Sequence, residues 1–251
     1  MTSFQVGTWN LDGYRRTGKL PEQVAVLEAL CADVLVLTEV SDRTRLEGKH
    51  SWWSAPGQPP QYKPHHRAVG VFSGWAGVPL EVSDSRLSVC VALTAPKPLG
   101  LVLVYGTIIP YHDDGVRQGQ AARWERHRKA IGLVLSDIKR IRCIPNYSSA
   151  HFILAGDFNT NLDGKGRYGD PVARQALMVG LEQLGLVCHT LEDIKATRGS
   201  CRSIVDHICM SEALQPSKPL HIWCDREGPG RLSDHNGVSV NFNVNVPRRR
   251  P

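Results

Sequence analysis

The chain has 251 residues, with 30 Lys and Arg against 24 Asp and Glu, a formal charge of +6 and an isoelectric point near 9.0. At 41% hydrophobic and 22% charged it has the balance of a globular protein able to bury a sizeable core, which excludes a disordered, collagen-like or disulfide-stapled chain. Its longest apolar run, residues 100–109, is far short of the ~18 that a membrane-spanning helix needs, and the first ten residues carry no signal-peptide pattern, so a cytoplasmic protein without a membrane partner is expected.

In chain order, residues 4–11 read as a strand and 21–32 as a helix, with Pro21 preset for the first turn and Val24, Leu27 and Cys31 on one face. A buried strand is expected at 34–40. Strands at 68–73, 87–94 and 101–109, separated by Pro, Gly and Ser, look like an antiparallel meander. The basic segment 121–141 fits an amphipathic helix with Trp124, Ile131, Leu135 and Ile138 inward and Arg126, Arg128, Lys129, Lys139 and Arg140 on a solvated face. A strand at 151–158, a helix at 172–184 and strands at 204–210, 220–224 and 238–244 complete the pattern. Strands spread over the whole length favour one α/β sandwich, two sheets covered by outer helices, over residues 1–246. Arg248, Arg249 and Arg250 then form a basic tail at 247–251, available to nucleic acid or simply solvated. The seven cysteines, Cys31, Cys90, Cys143, Cys188, Cys201, Cys209 and Cys224, contain no CxxC pair and read as free thiols.

Five polar clusters interrupt the apolar strands near their ends, where ligands collect in α/β sheets. They are Thr8-Trp9-Asn10-Leu11-Asp12-Gly13, Leu37-Thr38-Glu39-Val40, Gly156-Asp157-Phe158-Asn159, Ile204-Val205-Asp206-His207 and Leu232-Ser233-Asp234-His235-Asn236. Singly, an Asp or Asn at such a place is a turn former or a cap. Together they supply carboxylate and amide oxygens and one imidazole, a donor set for a hard cation such as Mg²⁺ or Mn²⁺ rather than zinc. Mg²⁺ keeps several waters and binds through one or two carboxylates plus a substrate phosphate, which points to phosphate esters.

In their order and spelling these motifs resemble the endonuclease/exonuclease/phosphatase superfamily, which has the DNase I-like fold. The resemblance runs from Asn10 to His235, and Asn10-Leu11-Asp12-Gly13 followed by Tyr14 and Arg15 is closest to the exonuclease III type of DNA repair nuclease. It implies a four-layer α/β sandwich, two packed mixed β-sheets flanked by helices, and divalent-metal-dependent phosphoester hydrolysis. It further implies Glu39 as principal metal ligand, Asn10 beside it, Asp12 in the metal environment and Asp234 as a metal or water contact on the second side. Asp157 matches the residue that orients or deprotonates the attacking water, Asn159 the phosphate-contacting amide, His235 the catalytic histidine and Asp206 the carboxylate that holds it. His207 stands where many members have an aromatic, and no catalytic role is given to it. Such a set meets the physical needs of the reaction: a nucleophilic water, neutralisation of charge growing on the phosphoryl oxygens, and stabilisation of the departing oxygen.

Where repair nucleases of this type place a Tyr, and DNase I-like members a His, this chain has Thr107 or Ile108, with Tyr105, Tyr111 or His112 as substitutes from shifted positions. The stretch 197–203 lacks the aromatic pair that holds an abasic sugar, which argues against an abasic-site specialist. The GxGxxG match at 164–169 follows a polar stretch without a βαβ dinucleotide unit and is read as a loop; its Lys165 and Arg167 contact substrate phosphates or lie inert, and Tyr111 is a further substrate contact. Residues 63–67 touch a nucleic-acid backbone or are solvated, and Trp52 and Trp53 stack on bases or pack inward. The leading expectation is a Mg²⁺- or Mn²⁺-dependent nuclease acting on DNA. A small-molecule phosphatase or phosphodiesterase is the alternative, and a non-hydrolytic nucleic-acid-binding module a third. Setting the five site carboxylates aside leaves the rest of the body with a basic excess of +8 before the tail, so the rim around His235 should be positive.

Overall fold

Along Val34-Leu35-Val36-Leu37, successive side chains point to opposite faces of a strand, and both faces are buried. Val34 and Val36 enter a core between two sheets, while Leu35 and Leu37 enter a second core under a helix. That pattern sets the layers of the computed structural model, which describes residues 2–57, 63–116, 118–200, 202–223 and 230–244. The basic tail, Cys201 and Cys224 lie outside the described residues.

The first sheet is built on strands β1 (Thr2–Asn10) and β2 (Val34–Ser41), which run parallel with helix α1 (Leu20–Leu30) as their crossover. Its other strands are β3 (His50–Trp53) and β4 (His66–Ser73) beyond β2, and β11 (Gln215–Pro216), β12 (His221–Trp223) and β13 (Gly237–Val244) on the side of β1. The second sheet has the order β5 (Gly77–Leu80), β6 (Ser88–Thr94), β7 (Leu101–Ile108), β8 (His151–Asp157), β10 (Asp206–Ser211), β9 (Leu186–Cys188). Here β7 and β8 are the parallel pair, joined through helix α2 (Glu125–Arg142). Helices α2 and α3 (Pro171–Gln183) cover the outer face of this sheet through Ile131, Val134, Ile138, Leu177 and Leu181, and the short α4 (Ile194–Arg198) follows β9. The layers are therefore α1, sheet, sheet, and α2 with α3, the four-layer sandwich expected from the resemblance. No helix among the described residues is long and apolar enough to cross a membrane.

The expected meander does not form. β4 pairs with β2 and β3 in the first sheet, whereas β6 and β7 pair in the second, because the apolar faces of β4 and β6 pack against each other instead of lying side by side. Helix α2 begins at Glu125 because Trp124 takes a left-handed conformation at φ 66°, and α1 ends before Cys31, which is exposed and left-handed at φ 52°. Among the described residues Cys31, Cys90, Cys143, Cys188 and Cys209 are free thiols.

Topology brings the polar clusters to one edge. The C-terminal ends of the parallel pairs carry Asn10, Glu39 and Asp157. The antiparallel β10 starts beside β8, with Asp206 opposite Asp157, and β13 starts beside the end of β1, just after His235.

Candidate active site

Local backbone geometry explains the spelling of two clusters. Gly13 donates its N–H to the Glu39 carbonyl at 2.9 Å, and a Cβ there would lie 2.4 Å from that oxygen. Gly156 has φ 137°, and its Cβ would meet the Thr107 carbonyl at 1.9 Å, so only glycine lets β8 approach β7 beside Asp157. Asp12, Glu39 and Asn159 hold positive φ of 49°, 46° and 46°, which L residues adopt at a cost, and all three belong to the polar clusters.

The side chains form two hydrogen-bonded groups that meet beside Asp157. Asn10 donates through Nδ2 to Glu39 at 3.2 Å and to Asp157 at 3.0 Å, while its oxygen accepts from the Asp12 N–H at 2.9 Å. Asp157 also accepts from the Asn159 N–H at 2.8 Å and from Asn159 Nδ2 at 3.0 Å. His235 Nδ1 and Asp206 Oδ2 are 2.6 Å apart, and the second oxygen of Asp206 is buried without a hydrogen-bond partner. Asp157, Asp206 and His235 each offer a ligand atom within 4.8 Å of the others. Asp12 accepts from Arg16 Nε at 2.8 Å.

Electrostatics divide these groups by task. Burial works against a charged His235, but Asp206, Asp157 and Asp234 outweigh it and push its pKa up to about 10, so the imidazole holds its proton at neutral pH. Burial, joined by Asp206, pushes the Asp157 carboxyl up to about 7 against the pull of His235 and its own hydrogen bonds. Burial also raises Glu39, with Asp234 and Asp12 adding to the rise and Asn10 and His235 opposing it. Carboxylates that raise one another are stabilised by a cation, and Glu39, with Asp234 and Asp12 near enough to raise it, offers carboxylate oxygens of the kind a hard divalent one takes.

The sequence profile described as the Endonuclease/Exonuclease/phosphatase family matches residues 7–235, which contain every group just described. The chain belongs to that family. Its members are hydrolytic phosphoesterases that depend on a divalent metal. Solved structures repeat the fold at low identity. An endonuclease/exonuclease/phosphatase from Beutenbergia cavernae is 16% identical with a TM-score of 0.65, covering 97% of this chain and 72% of that one. An AP endonuclease from Archaeoglobus fulgidus is 16% identical at 0.66, covering 96% and 100%. The endonuclease domain of TRAS1, a telomere-specific non-LTR retrotransposon, is 16% identical at 0.61, covering 97% and 99%. A search of curated proteins finds no match.

The remaining predicted residues have contacts within the chain. The Asn159 amide nitrogen is turned inward, to the Ile109 carbonyl at 2.9 Å and to Asp157. Arg167 is bound by Asp193 at 2.5 and 3.0 Å and by Asp163 at 3.2 Å, so three of its N–H groups are engaged by two carboxylates. Lys165 is exposed on the same loop, and Tyr111 is 48% exposed with its ring 5.8 Å from His112. Trp53 packs edge-on to Phe72 and Trp52 packs on the inter-sheet core, so both are packing groups. His207 is fully buried between Thr190 at 2.8 Å and the Thr160 carbonyl at 2.9 Å.

Two features carry no signal in the sequence motifs. Gln23, fully inside on α1, donates to the carbonyls of Leu11 at 2.7 Å and Leu232 at 2.8 Å, clamping the first and last clusters together. Arg16 donates to the Arg231 carbonyl at 3.1 Å, and Arg231 at 2.6 Å and Arg202 at 3.4 Å both donate to the Ser233 carbonyl. Three guanidinium groups thus gather on the segment that ends in His235, one of them, Arg16, also paired with Asp12.

Proposed function

We propose that this protein is a Mg²⁺-dependent nuclease, with Mn²⁺ as substitute, that hydrolyses DNA phosphodiester bonds. The observation that carries the reading is the meeting of the Asp206–His235 pair, the buried Asp157 and Glu39 at strand ends of the two sheets, with Arg16, Arg202 and Arg231 bonded to the segment before His235. Asp157, near 7, takes a proton from the attacking water. His235, kept charged and in one orientation by Asp206, donates from Nε2 to a phosphoryl oxygen. Asn10 and Asn159 hold Asp157 in place, and Gln23 keeps the loops of Asp12 and Asp234 at a fixed separation. Glu39, with Asp234 near enough to raise it and Asn10 donating to it, would hold the cation, which would neutralise charge on the phosphoryl and departing oxygens when bound. The arginine rim suits a polyanion, whose backbone rewards distributed positive charge. The AP endonuclease and retrotransposon endonuclease among the structural neighbours support a nucleic-acid substrate as well.

The test is one panel of substrates with Mg²⁺ or Mn²⁺: supercoiled plasmid, single- and double-stranded oligonucleotides, an abasic duplex, RNA and phosphorylated small molecules. Wild type should cleave DNA and His235→Ala should lose that activity by orders of magnitude while still folding. Turnover of a phosphomonoester alone would instead favour the small-molecule phosphatase, and equal plasmid cleavage by both proteins would overturn the assignment.

A further inference from the structure

The proposed hydrolase leaves one flank of Asp157 without a substrate contact. In the second sheet β10 lies on one side of Asp157 and brings Asp206 and His235, while β7 lies on the other and places Ile108 opposite it. The end of β7 supplies no polar reach. Ile108 is aliphatic, the Thr107 hydroxyl is engaged by Ser88 at 2.9 Å and the Leu87 carbonyl at 3.3 Å, and the Tyr105 hydroxyl points outward to Asp137 at 2.9 Å.

A different segment fills the gap. Tyr168, in the glycine-rich loop between β8 and α3, has its hydroxyl 3.2 Å from His112 Nδ1, and His112 Nε2 is 3.1 Å from the Asp113 carboxylate. His112 lies in the loop after β7, so this chain of contacts bridges the ends of two adjacent parallel strands, the crevice where such sheets take ligands. Burial, with Asp157 as the next cause, pushes the Tyr168 phenol up to about 12, so it keeps its hydrogen at neutral pH and stands within the electrostatic reach of Asp157.

The loop is fixed in advance. The Tyr168 carbonyl accepts from the Asn161 N–H at 2.9 Å and from Arg174 at 3.1 Å. Gly169 follows at φ 121°, where a Cβ would stand 1.9 Å from the Thr160 hydroxyl. The ring itself sits 5.7 Å from Trp124 and 5.9 Å from His112.

We propose that Tyr168, oriented by His112 and Asp113, donates its hydroxyl to a non-bridging oxygen of the substrate phosphate on the flank of Asp157 away from His235, so that the phosphate is gripped from both sides. When both ring nitrogens of His112 carry hydrogen, Nε2 donates to Asp113 and Nδ1 donates to the phenol oxygen, which leaves the phenol hydrogen for the substrate. Tyr168 is then a catalytic residue, and His112 a positioning residue acting through it. This inference rests on the phosphoesterase reading.

The experiment is steady-state cleavage of a fluorescent oligonucleotide with Mg²⁺ by wild type, Tyr168→Phe, His112→Ala, His112→Asn and His235→Ala, with melting temperatures in parallel. Tyr168→Phe removes one oxygen and should lower kcat by ~100-fold with KM nearly constant, the signature of a donor that acts as charge builds in the transition state. His112→Ala should follow in the same direction. His112→Asn, whose amide nitrogen stands near the position of Nδ1, should recover part of the loss at equal stability. A Tyr168→Phe kcat within about twofold of wild type, with His235→Ala inactive, overturns the inference and leaves the hydrolase reading intact. Absence of metal-dependent phosphoester cleavage by wild type removes both.

Discussion

Replacing Asp206 by Asn keeps the shape of the contact with His235 and removes its charge. Raising the imidazole from its ordinary 6.5 to about 10 corresponds to ~5 kcal/mol in favour of the protonated ring, at about 1.36 kcal/mol per tenfold change in proton affinity. Burial opposes that preference, so the carboxylates together supply more than the net figure, and Asp206 is the largest of them, at 2.6 Å. Asp206→Asn should lower the proton affinity of His235 at least tenfold, or ~1.4 kcal/mol, leaving Asp157 and Asp234 to hold what remains. Two measurements follow: the Cε1–H resonance of His235 titrated by NMR, and kcat/KM against pH. Both alkaline limbs should move to lower pH in the variant, so activity is lost first at high pH. The stability sign is the same. The folded ring binds its proton more tightly than the unfolded one, so the pair stabilises the fold below pH 6.5 and that contribution is lost as pH rises through about 10. A His235 that titrates in Asp206→Asn where it does in wild type would refute the reasoning.

The other expectations concern the groups that hold the site. Asp157 has its carboxyl raised from 3.8 to about 7, so its ionisation costs the fold stability as pH rises through that interval. Asp157→Asn should be inactive and should flatten this part of a pH series of urea melts, and an unchanged slope would count against the buried-carboxylate account. Gly156→Ala puts a Cβ against the Thr107 carbonyl at a left-handed φ and should cost ~3 kcal/mol or more in chemical denaturation; a loss below ~1 kcal/mol contradicts the close-approach explanation. Gln23→Leu strands the carbonyls of Leu11 and Leu232 and should cost about 1–3 kcal/mol together with activity, whereas unaltered activity would show that the two loops need no clamp.

The residue types at the site were legible because each is unusual where it stands: Asn10, Glu39 and Asp157 interrupt strands that are otherwise apolar, and Gly13 and Gly156 mark backbone approaches that no side chain permits. What those side chains do to one another was not. Whether the amide of Asn159 faces a phosphate or turns inward to Ile109 is decided by loop geometry that has no pattern in sequence. Gln23 reads as one more polar position on a surface helix, since helical spacing gives no sign that its amide meets the carbonyls of Leu11 and Leu232, 12 and 209 residues away in the chain. Tyr168 sat inside a glycine pattern suggestive of a different ligand, and only the hydrogen bond to His112 reveals its direction. Strand positions are recoverable from β-branched runs, but alternation alone does not name a partner, which is why β4 reads in sequence as a neighbour of β6 and β7. Short edge strands such as β5, which contains Pro79, lack the length for a clear period.

Cleavage of a labelled DNA oligonucleotide as a function of Mg²⁺ concentration, by wild type, Glu39→Ala and His235→Ala, separates the two halves of the site in one measurement. Glu39→Ala should lose activity at low metal and regain part of it as Mg²⁺ rises, because a weakened cation site can be refilled by mass action. His235→Ala should stay inactive at every concentration, because no amount of metal replaces its proton. A Glu39→Ala curve that overlays wild type, or a His235→Ala protein that cleaves like wild type, would contradict metal-assisted phosphodiester hydrolysis at this site.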